Sequence, residues 1–373
     1  MIIENERFKS EFDPNFGQPQ FTFMISTRAA ITGVACWLPE DKLTNADIEK
    51  MVDTTNEWII ERSGVQERRI LRDPNKGSAY MGAEAVKLLF EKKNIDPMSI
   101  DLIICSTATP EMQFPATANI ISDMIGAKRA WSFDLKGACS GFIYALNVGR
   151  QFIETGAHQR VLIIGTDKMS SIVDYTDRAT CILFGDGAGA ALLEPDTTGT
   201  GILDARMYSD GSGRFSLYQP AGGSLRPATE ETVRNREHFI KMNGQGVFKM
   251  AVEKMADVSE EMMVRNNLLA KDISFLVPHQ ANKRIIEAAA NRMGIENEKV
   301  MLNIQKYGNT TTASLPICLS EWESQLKRGD NIILTTFGAG FTWGGMYVKW
   351  AYDKVKKDIS LEKVIPAEHI TSC

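Results

Sequence analysis

The segment FDLKGACSGFIYAL, Phe133 to Leu146, puts a cysteine where an apolar strand-like run gives way, through small residues, to an amphipathic helical run. A thiol at such a junction faces unpaired backbone N–H groups and the positive end of a helix dipole. Both favour the thiolate, so Cys139 is expected to titrate below the usual thiol value of about 8.5. Gly137, Ala138 and Gly141 carry little or no side chain and are expected to let a substrate approach the backbone. A cysteine can also be a small buried hydrophobe, but the strand–GACSG–helix setting favours a nucleophile.

Three later segments could complete such a site. In LVPHQANKRI, Leu276 to Ile285, His279 follows an apolar run and precedes a helical one; it is one of four histidines. A lone histidine often serves only as a satisfied core or surface group. In YGNTTTASLP, Tyr307 to Pro316, Asn309 sits in a Gly-Asn turn that would by itself read as a helix N-terminus. In TTFGAGFTWGGMYV, Thr335 to Val348, the FGAGF turn joins two apolar runs and could aim bare N–H groups at a carbonyl oxygen, as an oxyanion hole does. The same glycines also suit a plain tight hairpin. Taken together, Cys, His, Asn and this turn define a thiol acyl-transfer site, chemistry that needs no metal and no redox cofactor.

Short β-branched runs alternate with amphipathic stretches, the pattern of an α/β protein. Strands are expected at Leu102–Ser106, Ala130–Asp134, Val161–Thr166 and Ala188–Leu193, and helices at Ala79–Lys93, Ala116–Ile125 and Ser140–Glu154. The chain also resembles itself. NIDPMSIDLIICSTA from Asn94 lies over NLLAKDISFLVPHQA from Asn267 at an offset of 173, Val161–Gly165 over Ile332–Thr336 at 171, and Cys139 near Thr311 at 172. Three similar offsets in order point to a duplication, with halves at 25–197 and 198–352, an extension at 1–24 and a tail at 353–373. Strand ends from both halves could then converge on one site.

Composition excludes other classes. The 373 residues, 43% hydrophobic and 24% charged, carry a net charge of −5, so a nucleic-acid binder's basic footprint is missing. No apolar stretch approaches the roughly 20 residues of a membrane span. The first residues lack an apolar secretory core, so a cytoplasmic location is expected. Six scattered cysteines without a CxxC pair suit reduced thiols rather than a zinc site.

GACSGF, PHQAN, YGNTTTAS and FGAGFTWG, in that order, resemble the motifs of the β-ketoacyl-acyl carrier protein synthase III family of the thiolase superfold. The similarity runs from about Ile31 to Trp350 and includes NEWIIERSGVQERR, DLIICSTATP and SIVDYTDRATCILFGDGAGAALL. It implies a duplicated α/β fold in five layers, αβαβα. It also implies that Cys139 takes an acyl group from acyl-CoA, and that His279 and Asn309 stabilise the enolate left when malonyl-acyl carrier protein loses CO₂. The product would be a 3-ketoacyl-acyl carrier protein that initiates fatty-acid synthesis.

The resemblance further places Trp58 and Arg178 on either face of the CoA adenine, Arg62 near its phosphates and Asn282 along the pantetheine tunnel. Lys283, Arg284 and Arg292 would dock the acidic carrier protein, although the position of Asn291 is often lysine in the family. Phe114 would cross a homodimer interface to close the partner's acyl pocket. Acyl-CoA is a substrate here, and no cofactor, metal, nucleic acid or membrane is implied. The oxyanion hole would use the N–H groups of Cys139 and Ala339. Ala339 departs from the usual glycine, and would be strained by about 1 kcal/mol or more if the turn required positive φ. A specialised starter synthase or acyltransferase of secondary metabolism would use the same three residues.

Overall fold

The longest apolar runs of the sequence become strands covered on both faces, which is why they read as unbroken hydrophobic stretches rather than alternating ones. The computed structural model describes residues 27–353. The expected extension at 1–24, and the tail apart from Asp353, lie outside the described residues. Among those described, the strands in chain order are β1 Arg28–Trp37, β2 Lys42–Thr44, β3 Glu67–Arg69, β4 Leu102–Ser106, β5 Trp131–Leu135, β6 Val161–Asp167, β7 Gly187–Asp196, β8 Gly201–Ser209, β9 Leu217–Tyr218, β10 Lys241–Met242, β11 Phe275–Pro278, β12 Asn331–Gly338 and β13 Thr342–Lys349. The expected strands and helices are present, Leu102–Ser106 with the expected bounds and the others with ends shifted by no more than three residues.

Two sheets dominate. The first has the order β1-β7-β6-β4-β5 and the second β11-β12-β13-β8; β2–β3 and β9–β10 form small ribbons. In the first sheet β4 runs parallel to β5 and β6, while β7 is antiparallel to both β6 and β1. The second sheet repeats this pattern through a parallel β11–β12 pair and antiparallel β12–β13 and β13–β8 pairs. Where β5 would recur, only an isolated Leu276–Val300 bridge forms. Backbone conformation repeats too. Asn94 and Asn267 both adopt positive φ, 52° and 53°, as do Ala138 and Thr311 at 45° and 52°. Each pair is separated by 173 residues, so Thr311 corresponds to Ala138 and Cys139 to Thr312, one residue from the alignment expected.

The alternation of side chains along each strand sorts the core into layers. Val161 and Ile163 of β6 join a central cluster, whereas Leu162 and Ile164 face an outer one. In β12, Ile332 and Leu334 point centrally and Ile333 outward. The central cluster also holds Phe142, Ile143, Ala145 and Leu146 of helix Gly141–Glu154, and Leu315, Cys318 and Leu319 of helix Ser314–Trp322. These two helices form the middle layer. Helices Ser78–Lys93 and Thr117–Met124 cover the outer face of the first sheet. Helices Gly244–Arg265 and Lys283–Met293 cover that of the second. The result is the five-layered arrangement expected.

The middle layer positions the chemistry, because helix Gly141–Glu154 opens from the turn Ala138–Ser140 after β5, helix Ser314–Trp322 opens from the turn Thr311–Ala313, and the two turns meet. Gly141 is obligatory there: a Cβ would lie 2.0 Å from Ser106 Oγ and 3.3 Å from Thr312 Cγ2. Gly141 thus lets the Ser106 and Thr312 side chains close onto the helix start, while Ala138 lines a cavity beside Cys139. Phe142, with no exposed surface, anchors this junction. Phe142→Ala is expected to lower unfolding free energy by about 3–5 kcal/mol, measured by urea denaturation, because the surrounding sheets cannot collapse onto the cavity.

Candidate active site

Cys139 lies in the short 3-10 turn Ala138–Ser140 between β5 and helix Gly141–Glu154. The turn is bound to the β12–β13 hairpin of the other sheet. Thr342 Oγ1 donates to Gly137 O at 3.1 Å, Ser140 Oγ donates to Thr342 O at 3.1 Å, and Thr336 Oγ1 donates to Ser140 Oγ at 3.1 Å. At Gly338 a Cβ would come within 2.8 Å of the Cys139 nitrogen, so only glycine permits this approach.

The next residue, Ala339, keeps a negative φ and needs no glycine, contrary to the strain considered from sequence. Positive φ falls instead on Gly340, the next residue of the turn, and on Ala138, immediately before the cysteine. The backbone amides of Cys139 and Ala339 both act on the cysteine sulfur in the direction that favours the thiolate, the convergence expected of oxyanion-hole donors.

The acidity of Cys139 corrects the expectation. Its residue is only 6% exposed, and burial pushes the thiol up to about 12, with the charge of buried Asp167 acting in the same direction. The two amides pull it down but do not offset the loss of solvent. Desolvation outweighs local dipoles at this helix start.

His279 follows β11 directly, its N–H donating to Thr335 O at 2.8 Å. Its ring is fully buried, and burial holds it down at about 3, so the imidazole is neutral. Nδ1 is 2.7 Å from Ser314 Oγ at the start of the second central helix, while Nε2 has no partner in the protein. Asn309 is fastened by backbone to the first half, donating to Leu183 O at 2.8 Å and accepting from the Gly185 N–H at 3.1 Å. Its Oδ1 accepts from the Thr311 N–H at 2.9 Å, and its Nδ2 makes no hydrogen bond among the described residues. His279 Nε2 and Asn309 Nδ2 are thus left without protein partners on a fixed frame.

Cys139, His279 and Asn309 line one cavity of about 540 Å³, within the size range of ligand clefts. Trp58, Arg62, Arg178, Asn282 and Arg284 line the same cavity. The Arg178 guanidinium sits over the Trp58 ring, 5.1 Å from its centroid, so a purine could enter between them only if the two part. Asn282 also caps helix Lys283–Met293, accepting from the Arg284 N–H at 2.9 Å and donating to Arg62 O at 2.8 Å.

A second cavity of about 170 Å³ adjoins Cys139, lined by Met169, Ile172, Phe184, Leu217 and Ile240 among others. The basic face is thinner than expected. Arg292 is paired with Asp257 at 3.0 Å and Glu260 at 3.3 Å, and Lys283 with Glu287 at 3.7 Å. Arg284 instead packs over the Phe248 ring. Phe114 is 84% exposed, away from both cavities of its own chain. Sequence reasoning missed Ser314 and Asp167. Ser314 stood inside a quoted motif, but nothing in the spacing linked it to a histidine 35 residues earlier.

Residues 133–211 match the family model described as 3-oxoacyl-[acyl-carrier-protein] synthase III, and residues 263–350 match its C-terminal model. The chain is 56% identical over 327 residues to a β-ketoacyl-[acyl-carrier-protein] synthase III of Chlorobium chlorochromatii, covering 87% of this chain and 99% of that one. A relative of the same name from Porphyromonas gingivalis is 54% identical, covering 88% and 98%. The solved 3-oxoacyl-[acyl-carrier-protein] synthase III of Aquifex aeolicus superposes with a TM-score of 0.79 at 42% identity, covering 86% of this chain and all of that one. With its thiolase-like fold and its shared cysteine, histidine and asparagine cavity, the chain belongs to the 3-oxoacyl-[acyl-carrier-protein] synthase III family of condensing acyltransferases.

Proposed function

We propose that this chain joins an acyl-CoA primer to malonyl-acyl carrier protein, the condensation that opens fatty-acid synthesis. The observation that carries the reading is the single cavity shared by Cys139, His279 and Asn309, into which the first supplies sulfur and the others unspent donors. In the first step Cys139 Sγ attacks the primer thioester, the C–S bond to CoA breaks, and the thiol proton leaves with the CoA sulfur. His279, far too weak a base when buried, does not store that proton.

In the second step malonyl-acyl carrier protein loses CO₂. The electron pair passes to the thioester as an enolate, held by His279 Nε2–H and Asn309 Nδ2–H. Its α-carbon attacks the acyl-cysteine carbonyl, whose oxyanion is held by the amides of Cys139 and Ala339. Collapse then expels the Cys139 sulfur, which takes up a proton from solvent to restore the thiol, and gives the 3-ketoacyl-acyl carrier protein. No cofactor enters this balance.

Trp58, Arg62, Arg178 and Asn282 are the proposed CoA contacts, and Arg284, with Lys283, the carrier-protein contact; Arg292 serves less well because two carboxylates already pair with it. The second cavity is the proposed primer pocket. Its 170 Å³ is close to the roughly 150 Å³ that accommodates benzene, so it suits primers of up to about six carbons. A homodimer is proposed from the open edge of β5, where Trp131 is 48% exposed, and from exposed Phe114, which would reach the partner's pocket. Halves at 25–197 and 198–352 and a cytoplasmic setting complete the reading; no helix among the described residues is long and apolar enough to cross a membrane.

Intact mass spectrometry with an acyl-CoA panel, followed by malonyl-acyl carrier protein, tests the scheme. Cys139→Ala should form no acyl adduct. Asn309→Ala should acylate normally yet condense roughly a hundredfold to a thousandfold more slowly; condensation at the wild-type rate would remove Asn309 from the mechanism. Because the Cys139 thiol titrates near 12, iodoacetamide labelling of Cys139 should rise through pH 8 to 10 without a plateau. A plateau below pH 8 would show a stabilised thiolate instead. Sedimentation equilibrium should return twice the 41.4 kDa chain mass, and a monomer would refute the dimer.

A further inference from the structure

We infer that Ser314 is a positioning residue for condensation: its hydroxyl donates to His279 Nδ1 and thereby keeps the imidazole proton on Nε2, toward the cavity. The inference rests on the proposed role of His279 as an enolate donor, and adds the group that makes the ring a donor there. His279 has no exposed surface, and its only side-chain hydrogen bond is to Ser314 Oγ, at 2.7 Å. Ser314 is itself 2% exposed, and among the described residues its hydroxyl has no other partner.

A neutral imidazole has one N–H and one lone-pair nitrogen, whereas a serine hydroxyl can either give or accept. If Nδ1 carried the proton, it would donate to Ser314. The buried hydroxyl hydrogen would then have nowhere to go, and Nε2 would present a lone pair to the cavity. If Ser314 donates instead, its hydrogen and Nδ1 are both satisfied and only Nε2–H is left over. The second arrangement leaves no buried hydroxyl hydrogen unpaired inside the protein, and burial of such a group is costly. The unpaired atom is then the one that faces Cys139 and Asn309 across the cavity.

The elements make this bond possible. His279 is held at the end of β11 by the Thr335 carbonyl, and Ser314 opens the helix Ser314–Trp322 of the middle layer. The ring is thus fixed by the outer sheet, and its tautomer by the central helix. A hydrogen bond to the far nitrogen is the usual means by which a histidine's protonated nitrogen is set.

The test uses the full-length protein labelled with ¹⁵N-histidine, the His279 signals being assigned against a His279→Gln protein. In the wild type, Nδ1 should show the shift of an unprotonated ring nitrogen and Nε2 that of a protonated one. Ser314→Ala removes a single oxygen. It should give a mixture of tautomers, acylate Cys139 to within about twofold of wild type, and condense about tenfold to a hundredfold more slowly. Ser314→Thr, which keeps the hydroxyl, should restore the wild-type shifts and most of the condensation rate. Thermal denaturation verifies that both variants fold.

A wild-type proton on Nδ1 would overturn the proposal. So would a Ser314→Ala protein that condenses at the wild-type rate, or one that condenses slowly with the wild-type tautomer, since slow turnover would then reflect packing. If the wild type neither acylates nor condenses, the reaction scheme itself fails and the positioning role with it, while an Nε2–H tautomer would still report the hydrogen bond.

Discussion

Everything at the site depends on the contact between the two turns that open the central helices, Ala138–Ser140 and Thr311–Ala313, and a buried carboxylate beside them clamps that contact. Asp167, at the end of β6, accepts from the Ala108 N–H at 2.7 Å and the Thr109 N–H at 3.0 Å within the first half. Its other oxygen accepts from the Thr312 N–H at 3.0 Å and Thr312 Oγ1 at 2.7 Å in the second. Gly165 admits the same turn, since a Cβ there would meet the Thr312 carbonyl at 2.5 Å. Buried carboxylates are tolerated only with such a set of donors. Their cooperation brings Thr311 and Asn309, just upstream of Thr312, alongside Cys139.

The clamp has an electrostatic consequence. Burial raises the Asp167 carboxyl itself, and its charge adds to the desolvation that raises the Cys139 thiol. Cys139, His279 and Asn309 thus meet as a neutral thiol, a neutral imidazole and a neutral carboxamide, beside a carboxylate whose oxygens accept from protein donors. In the proposed reaction, negative charge that develops on a bound thioester would meet the two amides beside the sulfur and the free ends of His279 and Asn309. Such preorganised donors are most effective where water is excluded, which is also why the resting thiol is so weakly acidic.

Much of this was legible in the linear chain. Apolar runs without alternation marked the strands of the two main sheets, and the offsets near 173 marked their equivalence, because a duplicated fold repeats its strand spacing. Cys139, His279 and Asn309 stood out because each follows a strand or turn and precedes a helix, the place where side chains project into a crevice. The pairing of Arg292 on helix Lys283–Met293 was not legible for a physical reason: Asp257 and Glu260 lie on a different helix, and periodicity along one helix says nothing of its neighbour.

From sequence alone came the α/β class, the internal repeat, and the candidate residues Cys139, His279 and Asn309 with the glycine-rich turn beside them. These are properties of residue type and local spacing, which the chain carries with it. Tertiary structure decided the acidity of Cys139, the negative φ of Ala339, the pairing of Arg292 and the hydrogen bond of Ser314 to His279. Each of those depends on what is packed against the residue from a distant segment: how much water is removed, which charge lies near, and which donor reaches a ring nitrogen. No local pattern encodes these, because they exist only once the two sheets have closed on the helices between them.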